Sequence, residues 1–184
     1  MKKVIIILFI LISSIVMGSE DNSNKSEFGF VVGPSIGYGL SYKTVLDDKL
    51  AIRFSGGFFQ EQNSYYDEEN NEITYNIGIE LNYSIKKNDN MNFYTLLSLV
   101  HTYENREDYY GDDDYDDYYY NNYDYIKEHD TRISFGFGFS RYFNDTFVLS
   151  IEFHQVFEHS LNLNNDKTEF NIYPAVGSAI GFLF

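Results

Sequence analysis

The sequence predicts an all-β chain: an antiparallel up-and-down transmembrane β-barrel, eight strands, with short turns at one rim and longer loops at the other. Three observations carry this. Apolar residues recur with period two along most of the chain, small and polar residues hold the positions between them, and the connections alternate short and long. A strand sends successive side chains to opposite faces, so sustained alternation means two different environments.

The N-terminal stretch stands apart from this pattern. Met1, Lys2 and Lys3 precede an apolar run from Val4 to Leu11, which continues less strictly to Met17 and exits through Gly18 and Ser19. A positive start, an apolar middle and a small-residue exit make a cleaved secretory signal peptide, residues 1–19. A permanent anchor needs about 20 apolar residues, and this run is shorter and carries Ser13 and Ser14. No cysteine follows for lipid attachment. The remainder, 20–184, reads as one domain.

The first two strands come from Phe28–Lys43. This segment alternates throughout and could be one strand, giving seven in all. Gly33-Pro34-Ser35 is a turn signal, and single-chain bacterial barrels have even strand counts. Two short strands, about 27–33 and 36–44, are therefore favoured. In the third, Leu50, Ile52, Phe54, Gly56 and Phe58 alternate with Ala51, Arg53, Ser55 and Gly57. The cleanest alternation runs from Ile73 to Lys86, with Ile77, Ile79, Leu81 and Tyr83 on one face and Gly78, Glu80, Asn82 and Ser84 on the other. It is long enough to cross an apolar band about 25 Å tall. Met91–Glu104 is strand-like with less distinct faces. Ile133, Phe135, Phe137 and Phe139, then Phe147, Leu149, Ile151 and Phe153, supply the next two strands, and Phe170 to Phe184 the last.

The second face decides between barrel types. Gly, Ser, Ala and Asn dominate it, and small residues suit the narrow interior of eight strands. A lipid-facing barrel turns its apolar side outward. The connections agree: Leu46–Lys49, Lys87–Asn90 and Asn144–Asp145 are short, whereas Gln60–Glu72, Asn105–Lys127 and His159–Thr168 are long. With the C-terminus on the periplasmic side, every long connection lies outside. Aromatics reach 19%, and no stretch after residue 19 is apolar enough for a membrane helix, so membrane contact falls to strands.

Together these residues resemble the small eight-stranded outer-membrane β-barrel family, which includes the barrel domain of outer-membrane protein A. The resemblance covers nearly all of the mature chain. Its most specific motif is the terminal strand, Val176 to Phe184, with Ile180, Phe182 and Phe184 in alternation. The resemblance implies that these three form the signal read by the barrel-assembly machinery. It implies placement in the cell outer membrane of a diderm bacterium, with outer-membrane lipid as surroundings.

Charge and composition exclude other classes. Loss of Lys2 and Lys3 takes the formal net charge from −15 to −17, the wrong sign for nucleic acid. Without cysteine there are neither disulfides nor thiolate metal sites. His101, His129 and His154 are scattered along the chain and suggest no metal site; no cofactor is expected.

The inward positions include Arg53, Arg132, Glu80, Glu152, His154 and Glu158, and ion pairs are expected between the arginines and Glu80 or Glu152, because a charge in a low-dielectric lumen needs a partner. Such pairs read as a stiffening plug, with a narrow porin-like path for ions or small solutes as the alternative. The segment Glu104–Asp130 holds eleven Asp or Glu and eight Tyr. Within it, Asp112, Asp113, Asp114, Tyr115, Asp116, Asp117, Tyr118, Tyr119 and Tyr120 read as a solvated external loop, as an adhesin-like surface for a host or cell-surface partner, or as a weak cation binder without EF-hand spacing. An enzymatic reading is thinner. Lipid A deacylases of this size carry His and Ser near the outer rim, but His159-Ser160 with Asn162 departs from their His-x-Ser-Asn pattern, and Glu158 and His159 would face opposite ways. The expectation is a non-enzymatic structural or surface-interaction barrel.

Overall fold

The computed structural model describes residues 26–65, 68–109, 123–143 and 146–184. They form eight strands: β1 Glu27–Gly33, β2 Gly37–Val45, β3 Leu50–Tyr65, β4 Glu68–Asn88, β5 Met91–Tyr109, β6 Tyr123–Phe143, β7 Phe147–Asn162 and β8 Lys167–Leu183. Each strand pairs antiparallel with its sequence neighbours, and β1 pairs with β8 to close the barrel. Closure leaves no sheet edge in the region where all eight strands run, and the ladder there is continuous apart from a bulge at Ile85 between β4 and β5. The two ends of the described chain meet at the seam, where Ser26 and Phe184 exchange two backbone hydrogen bonds of 3.1 Å.

The sequence-based division of Phe28–Lys43 into two short strands matches β1 and β2. Gly37 and Gly39 hold φ of +80° and +122°, a region open to glycine and strained for other residues. They bend the start of β2 inward. The turn between β1 and β2 consequently folds into the barrel: Ser35 and Ile36 are almost fully buried, Ser98 of β5 donates to the Ser35 carbonyl at 2.6 Å, and Ser55 of β3 donates to the Ile36 carbonyl at 2.6 Å. Ile36 packs with Val31 and Ala179.

At the opposite, lower rim the turns are tight and locally satisfied. Asp47 accepts hydrogen bonds from the backbone N–H groups of Lys49 and Leu50, both at 2.8 Å. These two donors hold the Asp47 carboxyl below its ordinary range. Asn88 does the same for Asn90 and Met91. Such side-chain-to-backbone bonds are why Asp and Asn recur in turns.

The upper rim differs from the sequence reading. The sequence places loops at Gln60–Glu72, Asn105–Lys127 and His159–Thr168, yet β3 and β4 pair as far as Tyr65 and Glu68, β5 and β6 as far as Tyr109 and Tyr123, and β7 and β8 as far as Asn162 and Lys167. Pairing continues where apolar alternation stops. Along Lys167–Asn171 of β8 both faces are exposed, so the sequence loses its period there while the ladder persists. By contrast β1 and β2 stop early: β8 pairs with β1 only from Ser178 to Leu183, and β3 pairs with β2 only up to Gly56. The upper wall is therefore built by six strands.

The outward face is apolar all the way round. Phe30, Phe54, Ile77, Leu99, Phe135, Phe153 and Ile180 come from seven strands and are all exposed. Inward positions on the same strands are closed off, as at Arg53, Glu80, Ser98, Ser134 and Glu152, each no more than 3% exposed. That inversion requires an apolar medium around the wall. Neighbouring rings stack along it, as in Phe137–Phe153 at 5.3 Å and Phe135–Phe157 at 5.8 Å. No helix among the described residues is long and apolar enough to cross a membrane; the crossing is made by strands. Phe137→Arg, in the middle of this band, is expected to destabilise the barrel by about 2–4 kcal/mol. Urea titration of the refolded barrel in lipid vesicles measures the loss; an unchanged midpoint would mean that Phe137 does not face acyl chains.

Candidate functional site

The lumen is where the sequence concentrates its buried charge. Arg53 on β3 points inward and is 1% exposed. Its Nη1 donates to Oε1 of Glu80 on the neighbouring β4 at 2.9 Å and to Oε1 of Glu152 on β7 at 2.7 Å. The second bond crosses the barrel, so one guanidinium ties walls that are far apart in sequence. Tyr94 of β5 donates its hydroxyl to the same Glu152 oxygen at 2.6 Å, and Asn82 donates to Glu80 at 2.8 Å. Lys43 lies over the Tyr94 ring, 4.8 Å from its centroid.

Space for this cluster comes from glycine on the facing strand. Gly138 stands opposite Tyr94, and a Cβ built there would run into the ring. Both faces of β5 are apolar at this level, since Leu97 and Leu99 face out while Leu96 and Val100 face in. This explains the indistinct alternation of Met91–Glu104.

A chain of hydroxyls runs beside the ion pairs. Ser98, which donates to the Ser35 carbonyl, lies 2.6 Å from the Ser134 hydroxyl, and Ser134 lies 3.0 Å from Nδ1 of His154. Nε2 of His154 faces Oε2 of Glu152 at 3.6 Å. The folded-in turn, these hydroxyls and the Arg53 cluster together fill the middle of the lumen.

Arg132 is not part of that cluster, contrary to the sequence expectation that it would pair with Glu80 or Glu152. It sits nearer the upper rim. Its Nε donates to Glu158, its Nη2 to Asp130 at 2.9 Å, and its Nη1 to Thr102 at 3.2 Å. Tyr173 also donates to Glu158 at 2.9 Å. The register decides this outcome: Arg132 stands opposite Glu158 on β7 and opposite Val100 on β5. Alternation assigns both arginines an inward face but does not place them along the barrel axis.

Two more corrections concern histidine. His101 and His129 are not scattered. β5 and β6 bring them together on the outward face, with rings stacked at 5.3 Å and His129 Nδ1 3.2 Å from His101 Nε2. His154 stands with Glu80 and Glu152, one ligand atom of each lying within 4.8 Å of the others. His159 faces away from Glu158, whose carboxylate is engaged by Arg132 and Tyr173. The deacylase-like reading therefore lacks its base–orienter pair.

Ile180 and Phe182 lie on the outward face of the closing strand, with Phe182 opposite Phe28 and Ile180 opposite Phe30 on β1, and Phe184, directly after the strand, is also exposed. The acidic stretch Asp112–Tyr120 and the N-terminal residues 1–19 lie outside the described residues. Nothing in the alternation singles out Lys43, Tyr94, Ser35 or Ile36. The Gly37-Tyr-Gly39 spacing after Pro34 is the available sign of a sharp inward bend.

No family model matches the chain, and no curated protein does. Among solved structures, a major outer membrane protein from Thermus thermophilus is 8% identical, with 89% of this chain and 100% of that one covered at a TM-score of 0.50. The N-terminal β-barrel domain of OprF from Pseudomonas aeruginosa is 18% identical, covering 89% and 98% at 0.46. Ail, the attachment invasion locus protein of Yersinia pestis, is 13% identical, covering 88% and 97% at 0.44. At these identities the likeness is one of fold.

Removing Arg53 leaves two buried carboxylates without their shared cation. Arg53→Ala is expected to cost about 3–5 kcal/mol. Glu80→Gln and Glu152→Gln combined with Arg53→Met, which removes the charge from all three partners, is expected to cost much less than the single alanine variant. Equilibrium unfolding in detergent separates the two, and equal losses would show that the pair carries no net electrostatic role.

Proposed function

From the fold of the small outer-membrane β-barrels, which this chain has, we propose that it works as a sealed outer-membrane barrel that presents a tall extracellular wall and acidic loops to its surroundings. The observation that carries this is the filled lumen. Arg53, Glu80, Glu152 and Tyr94 form one hydrogen-bonded network across it, and the Ser35–Ile36 turn is folded in beside them. A solute path would have to break a buried ion pair and expel the turn. Burial makes both steps costly. This reading favours surface interaction over the porin-like alternative.

The upper wall supports it further. Strands β3–β8 rise above β1 and β2, and they carry connections rich in Tyr, Asp and Asn. Tyr offers a large, rigid contact area with a polar tip, and Asp keeps such a surface soluble. An adhesin-like role for Asp112, Asp113, Asp114, Tyr115, Asp116, Asp117, Tyr118, Tyr119 and Tyr120 rests on this composition. The signal peptide at residues 1–19, delivery to the outer membrane and insertion by the barrel-assembly machinery through Ile180, Phe182 and Phe184 belong to the same proposal.

Two experiments test it. Reconstituted in planar bilayers, the barrel is expected to give no stepwise conductance; regular current steps would overturn the sealed-lumen reading in favour of a channel. Replacing residues 112–120 with a Gly/Ser linker of equal length is expected to leave heat-modifiable gel migration intact. The same change is expected to lower attachment of expressing cells to host-cell or abiotic surfaces several-fold. Equal attachment by both strains would remove the loop from the proposal.

A further inference from the structure

The hydroxyl chain in the lumen determines a proton. Ser98 has one hydroxyl hydrogen and gives it to the Ser35 carbonyl. In its contact with Ser134, at 2.6 Å, Ser98 must therefore accept. Ser134 uses its own hydrogen there, so in its 3.0 Å contact with His154 it too must accept, and Nδ1 of His154 must carry the proton. In the neutral ring, Nε2 is then the bare nitrogen. It points at Oε2 of Glu152, 3.6 Å away. Two acceptors face each other in a buried site, a repulsive arrangement unless a metal cation or a second proton on the ring lies between them.

The free atoms around this gap converge. Nε2 of His154, Oε2 of Glu152 and Oε2 of Glu80 have no hydrogen-bond partner among the described residues, while the Oε1 atoms of both carboxylates are held by Arg53. His154 is 5% exposed, Glu80 3% and Glu152 0%. One ligand atom from each of the three residues lies within 4.8 Å of the other two. The buried lumen charges also fail to balance: among the described residues, Glu27, Glu80 and Glu152 face only Lys43 and Arg53 as buried cations.

The 3.6 Å gap discriminates among cations. It is longer than a hydrogen bond. Metal–nitrogen and metal–oxygen bonds of about 2.0–2.2 Å meeting at a near-tetrahedral angle put the two ligand atoms about 3.4 Å apart. We propose that the lumen holds a divalent cation of the zinc class, bound by His154 Nε2, Glu152 Oε2 and Glu80 Oε2. The Ser98–Ser134 chain fixes the tautomer and ring orientation, the part usually taken by groups behind a ligating histidine. Ser134 is thus a positioning residue. Glu80 completes the group, with one ligand atom of each of the three residues within 4.8 Å of the others.

The test uses the full chain refolded into detergent micelles, stripped with chelator, and loaded with Zn²⁺ or Co²⁺. Metal is present during refolding in one arm and added afterwards in another, because the Ser35–Ile36 turn covers the site. After removal of free ion, wild type is expected to retain one more equivalent of zinc than His154→Gln. The Co²⁺ form is expected to show visible bands of a tetrahedral nitrogen–oxygen site that His154→Gln lacks. Ser134→Ala is expected to weaken zinc retention about 10–100-fold. The outward pair provides a control, since His101→Gln with His129→Gln should keep the lumen equivalent. Equal metal content in wild type and His154→Gln overturns the proposal and assigns the gap to a proton on His154. Should His154→Gln fail to fold, the wild-type Co²⁺ spectrum still decides, and absence of tetrahedral bands overturns the site. Neither result bears on the conductance of the barrel, so this inference and the sealed-lumen reading fail separately.

Discussion

Closure of the sheet is the constraint on which the rest of this structure depends. In an apolar medium an unpaired backbone N–H or C=O costs several kcal/mol (a lost hydrogen bond with no water to replace it), so a spanning sheet must close on itself. The β1–β8 seam provides that closure, with Phe28 opposite Phe182 and Phe30 opposite Ile180. Once closed, an eight-stranded wall has an outside that meets lipid and an inside too narrow for bulk water. The inversion of polarity follows directly: phenylalanines outward, serines, glycines and paired charges inward.

The narrow interior then dictates how its charges behave. A guanidinium enclosed by the wall cannot rely on solvent, and Arg53 is held by two carboxylates at once. Both turn Oε1 to Arg53, and Oε2 of Glu152 faces Nε2 of His154 at 3.6 Å. The ion pairs, the tyrosine hydroxyl and the serine chain form one connected polar network. In low dielectric, such a network is strong when satisfied and costly where an atom is left over. Among the atoms left over here are Nε2 of His154, the Oε2 atoms of Glu80 and Glu152, and Nε and Nη2 of Arg53.

The two short strands give the barrel its asymmetry. Because β1 and β2 end early and Gly37 and Gly39 turn inward, their connection becomes part of the lumen filling. The other six strands continue upward as a wall bounded by β3 and β8. The early end of β1 and β2 and the folded-in turn concern the lumen, while the upper wall is built by the other six strands.

The amino-acid sequence by itself determined the class, the lipid-facing side of the strands with clean alternation (the faces of Met91–Glu104 stayed indistinct), the inward orientation of Arg53, Glu80, Arg132 and Glu152, and the break at Gly33-Pro34-Ser35. All of these follow from period-two alternation and local turn chemistry, which act between near neighbours. Tertiary structure alone decided which inward charges meet. Register set Arg132 beside Glu158 and left Arg53 to join Glu80 with Glu152 across the lumen. It also decided that the long polar connections continue as paired strands, since ladder bonds need only backbone and leave no period in a segment wetted on both faces. The gathering of His154, Glu80 and Glu152 was invisible for the same reason: proximity across a barrel depends on shear and closure, quantities no single strand encodes.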